Sequence, residues 1–173
     1  MVEAAEYSVI ETLRNGRLVE IRAHRPDDRA GLVAAVGRAS AQSLFRRFFA
    51  AKRGFTEKEI AFFVNIDFIN HVALVAMVDE DGHPVIVGGA RYIVGQPGTA
   101  EVAFAVVDEH QGRGIGTALM RHLAAIARRA GLNELVAEVL PDNGPMLKVF
   151  ENSGFHLTRK RTSEVVHVAL SLS

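Results

Sequence analysis

Three features of the sequence predict one α/β domain with a mixed, mostly antiparallel sheet flanked by helices. Segments with alternating apolar residues predict strands, and apolar residues three and four apart predict helices between them. Short polar turns join several strands, which favours antiparallel pairing. Between Glu101 and Leu140 a strand, a helix and a second strand follow one another, and this crossover requires two parallel strands. The 173 residues have the size of one domain, so we expect a single domain over residues 1–173.

The composition argues against several classes of protein. Apolar residues make up 49% of the chain, which is typical of a globular protein. Lysine plus arginine and aspartate plus glutamate number 20 each, so bulk charge does not favour nucleic-acid binding. Cysteine is absent, which excludes disulfides and a thiolate nucleophile and fits a reducing cytoplasm. The N-terminus lacks the pattern of a signal peptide, and no apolar run approaches the roughly 18 residues that span a membrane.

The first part of the chain predicts a hairpin and three helices. The hairpin turns at Asn15-Gly16, a dipeptide typical of a type I′ turn. The predicted helices cover Pro26–Gly37, Ser40–Ala51 and Thr56–Val64. Four apolar side chains recur at helical spacing in the second helix, namely Leu44, Phe45, Phe48 and Phe49. We expect these four in the core; the alternative is that they line a ligand pocket.

The rest of the chain predicts strands around two further helices. The predicted strands are His71–Val78, Pro84–Val94, Glu101–Val107 and Leu135–Leu140, with a closing hairpin over Phe155–Arg161 and Glu164–Leu172. The apolar stripe of the longer helix consists of Ile115, Leu119, Leu123, Ile126 and Ala130, and the helix ends at Gly131. The shorter helix begins at Pro145 and ends near Ser153. The strand Leu135–Leu140 is nearly all apolar, so we expect it to be central and buried on both faces.

A glycine-rich turn between the strand Glu101–Val107 and the longer helix predicts an anion site over Gln111–Thr117. The first N–H groups of a helix have no intrahelical acceptor and lie at the positive end of its dipole, and glycine lets a phosphate approach the backbone. The dinucleotide pattern G-x-G-x-x-G does not fit, because Thr117 stands where the third glycine is needed. The phosphate-loop pattern G-x-x-x-x-G-K-[ST] is absent. The alternative is a tight turn without a ligand.

The loop Gln111-Gly112-Arg113-Gly114-Ile115-Gly116 fits the pattern Q/R-x-x-G-x-G/A. With the strand before it, the helix after it and the block Asn143–Phe155, it resembles the GNAT superfamily of acetyl-CoA-dependent N-acetyltransferases. The segments SLFRRFF, AEVAFAVVDEHQGRGIG and AEVLPDNGPM make the chain most similar to the GNAT domain of bacterial protein lysine acetyltransferases, over roughly Leu18–Phe155. The resemblance implies the GNAT fold, in which the fourth and fifth strands are parallel, splay apart and admit coenzyme A.

The resemblance also implies the residues that bind acetyl-CoA as co-substrate. The expected set is Ala105, Val106, Val107, Gln111, Gly112, Arg113, Gly114, Ile115, Gly116, Thr117 and Asn143. The backbone of the strand would pair with the pantetheine arm as an added strand does, and the N–H of Val106 would stabilise the oxyanion. Arg113 and Lys148 are candidates for contacts with the phosphates, and for Lys148 the favoured interpretation is a solvated helix face. Asn143 would support the pantetheine arm; without the resemblance it is equally well an ordinary N-cap residue.

The implied reaction is direct attack of an amine on the thioester, which requires neither a metal nor a covalent enzyme intermediate. A lysine amine has a reference pKa of about 10.4, so it must lose a proton at neutral pH. Glu101 is the candidate base, because it lies on the small-residue face of its strand and the resemblance implies a catalytic glutamate there. The alternative is a surface carboxylate. Phe150 stands where many members of the superfamily have a tyrosine that protonates the leaving thiolate.

The expected acceptor is a protein lysine, and two alternatives stay open. One is a small-molecule amine, with the acceptor or acetyl pocket under the helix that carries Phe45 and Phe49; the other is a non-catalytic acyl-CoA sensor. Neither nucleic acid nor a membrane is an expected partner, and the sequence leaves a homodimer open. The seven histidines show no spacing typical of metal ligands, and we expect His110 and His122 to be surface residues.

Overall fold

The computed structural model of the protein describes residues 4–28, 30–31, 34–35, 66–141, 143–162 and 164–172. The helices predicted over Ser40–Ala51 and Thr56–Val64 lie outside these residues, together with the pocket proposed for Phe45 and Phe49. Of the helix predicted over Pro26–Gly37, Pro26–Asp28 form a single 3-10 turn and residues 30, 31, 34 and 35 are helical.

The strands in the described part of the chain form one eight-stranded sheet. They are β1 (Ser8–Thr12), β2 (Leu18–Ala23), β3 (His71–Glu80), β4 (His83–Gln96), β5 (Thr99–Val106), β6 (Glu134–Val139), β7 (His156–Arg161) and β8 (Val166–Ser171). Their order across the sheet is β1-β2-β3-β4-β5-β6-β8-β7. β5 and β6 pair in parallel, and all other neighbours are antiparallel. The predicted mixed α/β sheet is therefore confirmed.

In the described part of the chain, the α-helices α1 (Ile115–Arg129) and α2 (Gly144–Glu151) pack on one face of this sheet. The predicted stripe of α1 is buried from Ile115 to Ile126, while Ala130 lies exposed at its C-cap. This stripe packs against β2, β3, β4 and β5. Phe150 of α2 is fully buried and meets Phe104 of β5 edge to face, with ring centroids 5.5 Å apart. No helix in the described part of the chain is long and apolar enough to cross a membrane.

The turn predicted at Asn15-Gly16 has a different type from the one expected. Of these two residues only Gly16 has a positive φ, at 81°, whereas a type I′ turn requires positive φ at both central positions. The N–H of Gly16 donates to the Leu13 carbonyl, and the N–H of Leu13 donates to the Arg17 carbonyl. The connection is therefore a three-residue loop with the glycine in the left-handed region. The type I′ turn occurs at Asp81-Gly82, where φ is 53° and 84°.

The parallel strands β5 and β6 pair over only three positions, which end at Glu101 opposite Val136. Beyond this point β5 continues to Val106, while β6 stays paired with β8 along its whole length. The two strands therefore diverge and leave a wedge-shaped gap, called the wedge below. The splayed parallel pair implied by the resemblance is confirmed.

The expectation that Leu135–Leu140 is buried on both faces is wrong. Leu135, Ala137 and Val139 are buried on the face that carries the helices. On the opposite face Val136 is half-buried and Glu138 is exposed. Among the described residues no helix covers that face over β6, β8 and β7, so a run of apolar residues in this strand does not indicate burial on both sides.

Candidate active site

A cavity of about 400 Å³ opens between the outer end of β5, the N-terminus of α1 and the helix α2. Of the residues predicted to bind the cofactor, all except Val107 and Arg113 line it. They are joined by residues of α2, including Met146 and Lys148, and by Arg14 from the β1–β2 turn. The sequence pattern did not indicate Arg14, because it lies almost a hundred residues before the glycine loop.

The backbone of the glycine loop leaves the N-terminus of α1 without a capping side chain. Gly112 and Gly114 have φ values of 78° and 91°, a region that L side chains rarely adopt. A Cβ atom at either glycine would meet no atom within 4 Å, so conformation rather than space requires glycine there. Gly114 is the N-cap, and the first intrahelical bond runs from the Ala118 N–H to its carbonyl at 3.0 Å. The N–H groups of Ile115 to Thr117 therefore have no acceptor within the helix, which suits an anion.

The third glycine of the loop serves a different purpose. Gly116 has an ordinary helical backbone, but a Cβ there would lie 3.3 Å from Val149 Cγ2 and 3.7 Å from Phe104 Cε2. The absence of a side chain lets α1 begin close against α2 and β5. This close approach places the first turn of α1 at the mouth of the wedge.

The charges around the cavity favour an anionic ligand. Arg14 and Lys148 supply positive charge, and none of the described residues that line the cavity is an aspartate or a glutamate. With the positive end of the α1 dipole, the cavity wall has one sign of charge.

On β5, the backbone of Val106 and Phe104 faces the wedge, and that of Ala105 and Val107 does not. The N–H of Val107 donates to the Val87 carbonyl of the preceding hairpin at 2.8 Å. Because strand residues alternate in the direction of their N–H and C=O groups, Ala105 also faces β4, where it lies opposite Gly89. The predicted pairing of Ala105 and Val107 with a pantetheine arm is therefore wrong, and Phe104 is a wedge-facing residue that the sequence analysis missed. The carbonyl of Val106 accepts from Gln111 Nε2 at 2.9 Å.

A second opening lies on the other face of the sheet. Glu101 is exposed there and lines a groove of about 460 Å³ that crosses β6, β8 and β7. Pairing puts Glu101 in one row with Val136, Ala169 and Thr158, which form the floor of this groove. Glu101 does not line the first cavity. The two openings share no lining residue, and the wedge between β5 and β6 lies between them.

A model of the Acetyltransferase (GNAT) family matches residues 39–155. The chain belongs to this GNAT family. It is 34% identical over 127 residues to acetyltransferase PA5475 of Pseudomonas aeruginosa, and the aligned region covers 73% of this chain and 68% of that protein. It is 31% identical over 144 residues to acetyltransferase Pat of Mycolicibacterium smegmatis, which covers 82% of this chain and 42% of Pat. The GNAT domain of S. lividans PAT has 35% identity and a TM-score of 0.85, with 95% of this chain and 96% of that domain covered. The chain thus spans less than half the length of Pat.

In this GNAT domain, the Arg113 side chain does not line the cavity and instead supports the glycine loop. Its Nη1 lies 3.3 Å from Nδ1 of His110, whose Nε2 lies 3.0 Å from Glu80 Oε2. Arginine only donates hydrogen bonds, so Nδ1 of His110 accepts and Nε2–H donates to the carboxylate. His110 is 3% exposed, and the expectation that it is a surface residue is wrong. The chain Glu80–His110–Arg113 connects the β3–β4 hairpin to the loop.

His122 also differs from the expected surface residue. It is half-buried on α1, where Nδ1 bonds to the hydroxyl of Tyr7 and Nε2 to the carboxylate of Glu11. Arg121 donates to the same carboxylate at 3.1 Å. These contacts tie the β1–β2 hairpin to α1. In the residues that the structure describes, no group of three or more His, Asp or Glu side chains could hold a metal ion, and a metal-free reaction stays a prediction.

Asn143 and Phe150 have clear structural roles in this domain. Asn143 is the N-cap of α2, and its Oδ1 accepts from the Met146 N–H at 3.3 Å. Its Nδ2 lies 3.5 Å from the weak acceptor Sδ of Met146, so the amide retains a donor at the cavity wall. Phe150 is fully buried and has no acidic proton that it could transfer. The place of the superfamily's tyrosine is therefore part of the core in this chain.

Two buried histidines lie on the same face of the sheet as Glu101. Burial lowers the pKa of His71 to about 4, and the positive charge of Arg91, whose Nη1 is 2.8 Å from His71 Nε2, lowers it further. Burial likewise lowers the pKa of His24 to about 4. Neither ring nitrogen of His24 has a hydrogen-bond partner in the described part of the chain. Both imidazoles are therefore neutral at physiological pH.

Proposed function

We propose that the protein transfers the acetyl group of acetyl-CoA to the side-chain amine of a protein lysine. Acetyl-CoA is the donor that the resemblance to the superfamily implies. The observation that carries the proposal is the pair of openings on either side of the wedge. The cavity of about 400 Å³ has cationic and N–H groups for phosphates, and the groove of about 460 Å³ on the opposite face contains Glu101. Among the described residues the groove is open across three strands and accommodates an extended peptide, whereas a small amine needs an enclosed pocket.

The residues of the cavity have distinct roles in this proposal. The uncapped first turn of α1 binds the pyrophosphate, and the pantetheine arm follows β5 into the wedge past Asn143. The N–H of Val106 hydrogen-bonds the thioester oxygen as it becomes negative, which is the role inferred for it from the sequence. Phe104 provides a second backbone N–H with the same direction, closer to Glu101.

Glu101 accepts the proton of the amine through water. A strand rises about 3.3 Å per residue, so Glu101 lies roughly 10 Å along β5 from Phe104 and roughly 16 Å from Val106. Neither distance allows direct contact between the carboxylate and an amine that attacks at these N–H groups. A chain of hydrogen-bonded water molecules in the wedge carries the proton from the nitrogen to Glu101, because a single water bridges only about 6 Å. The amine nitrogen then bonds to the carbonyl carbon, the nitrogen gives its second proton to water, and the carbon–sulfur bond breaks.

The leaving sulfur departs as a thiolate. Phe150 is buried and has no proton to give, and a thiol has a pKa of about 8.5, close enough to neutral for a thiolate to leave and be protonated by water.

A panel of acceptors with acetyl-CoA tests the proposed substrate class, with free thiol release as the measurement. Lysine-containing proteins and peptides should release thiol faster than free amino acids or small-molecule amines. Faster turnover of a small amine would replace the proposal with the second acceptor class. Tight acetyl-CoA binding without turnover of any amine would make the protein an acyl-CoA sensor.

Glu101→Gln tests the role of the base, because it keeps the shape of the side chain and removes the proton acceptor. A positioned general base contributes roughly 10²–10⁴ in rate, so turnover at neutral pH should fall by about that factor. The affinity for acetyl-CoA should stay the same, because Glu101 does not line the phosphate-binding cavity. Raising the pH should recover part of the loss. Glu134→Gln, which removes a carboxylate from β6 outside both openings, is the matched control. Equal rates for Glu101→Gln and the wild type would make Glu101 a surface carboxylate.

A further inference from the structure

We propose that Arg14, in the β1–β2 turn, binds the 3′-phosphate of coenzyme A. This inference rests on the proposed function, since it assumes that coenzyme A occupies the cavity. Arg14 lines that cavity beside the glycine loop, although it comes from the other end of the chain. It belongs to neither the glycine motif nor the strand and helix that flank it.

The turn that carries Arg14 is fixed to the body of the domain on both sides. Before the turn, Glu11 of β1 accepts hydrogen bonds from Arg121 and His122 of α1. After the turn, the guanidinium of Arg17 donates to the backbone carbonyl of Asp79 at the end of β3. These contacts hold the turn that carries Arg14 against α1 and β3. Little conformational entropy of the backbone is therefore lost when it binds a ligand.

The guanidinium of Arg14 is exposed and makes no hydrogen bond or ion pair with another residue in the described ranges. It therefore keeps its full set of donors for a ligand. A phosphate monoester has up to two negative charges and three acceptor oxygens, and the planar guanidinium binds it through two parallel hydrogen bonds. No described carboxylate lines the cavity to compete for Arg14.

The path of the ligand points to the third phosphate of coenzyme A and not to the pyrophosphate. The N–H groups at the start of α1 suit the pyrophosphate, and the wedge receives the pantetheine arm on the inner side. The nucleoside with its 3′-phosphate then remains at the outer rim of the cavity. Arg14 lies at that rim and is exposed, whereas Phe104 and Ile115 deeper in the cavity are buried.

Calorimetric titration of coenzyme A and of dephospho-coenzyme A, which lacks only the 3′-phosphate, tests this assignment. The wild type should bind coenzyme A about tenfold more tightly, as expected for one charge-assisted hydrogen-bonded pair at an exposed rim. Arg14→Gln should weaken coenzyme A binding by about tenfold and leave dephospho-coenzyme A binding unchanged. Arg128→Gln, which removes an exposed charge near the other end of α1, should change neither affinity.

The remaining outcomes overturn the inference. Equal losses for both ligands in Arg14→Gln would place Arg14 on the pyrophosphate or make it a support of the turn. Unchanged affinities in that variant would exclude any contact with the ligand. A wild type that binds neither ligand would instead refute the proposed function, so the two failures are distinguishable. The melting temperature of Arg14→Gln should match the wild type, since the side chain has no partner among the described residues.

Discussion

His24 makes the stability of this domain sensitive to acid. Its side chain is 4% exposed, directly after β2, and burial lowers its pKa from 6.5 to about 4 even though the carboxylate of Asp28 acts in the opposite direction. Between these two pH values the unfolded chain takes up a proton that the folded chain does not. Stability is therefore complete above about pH 6.5 and falls as the pH drops towards 4.

The size of this loss follows from the pKa difference. A pKa difference of one unit between the folded and unfolded states corresponds to about 1.4 kcal/mol, so the loss of unfolding free energy due to His24 reaches about 3 kcal/mol at pH 4. That is a large part of the 5–15 kcal/mol typical of a domain. His71 has a pKa lowered in the same direction and adds to the loss.

The test is His24→Leu, which replaces the ring by an apolar side chain of similar volume. Urea unfolding is measured at several pH values between 7.5 and 4.5. Over this range the free energy of unfolding should fall by about 2 kcal/mol less in the variant than in the wild type. His156→Leu, at an exposed histidine, is the control and should follow the wild type. Parallel curves for His24→Leu and the wild type would refute the reasoning, because the buried ring would then not be the titrating group.

Three further predictions concern the cavity. Gly114→Ala should reduce acetyl-CoA affinity at least tenfold by calorimetry, because a φ of 91° strains an alanine at the anion site. The control is Gly131→Ala, where φ is 89° at the other end of α1; it should lower the stability as much as Gly114→Ala does and leave the affinity unchanged. His110→Leu removes the link between Glu80 and Arg113 and should raise the Kd for acetyl-CoA about tenfold with kcat unchanged at saturation, so a fall in kcat alone would contradict this role. Treatment with a chelator should leave turnover unchanged, and recovery of lost turnover on adding a divalent ion would contradict the metal-free reaction.

Local sequence patterns were sufficient for much of the fold. The crossover from Glu101 to Leu140 required parallel strands, since a connection through a helix returns to the same edge of the sheet. The positive φ at Gly112 and Gly114 follows from residue type, because glycine is common where other residues are strained. Patterns of this kind are local in the chain and depend little on distant contacts.

Features that depend on distant contacts were not predictable from local patterns. His110 lies between Glu109 and Gln111 in a polar stretch, and its burial depends on Glu80 of β3, thirty residues earlier. Arg14 reaches the cavity only because β1 and β2 lie beside α1. The turn at Asn15-Gly16 has three loop residues instead of two, because the register of β1 with β2 decides its type.

The wedge explains why Phe150 occupies the place of a proton donor. α2 follows β6 directly, and its residues Phe150 and Val149 pack against Phe104 and Gly116, on β5 and α1. These contacts fill the side of the wedge that faces the helices, beyond the last paired position of β5 and β6. If the two strands continued to pair there, no passage would connect the two faces of the sheet. Phe150 has no acidic proton to give, so in the proposed reaction the leaving thiolate takes its proton from water that enters through the cavity.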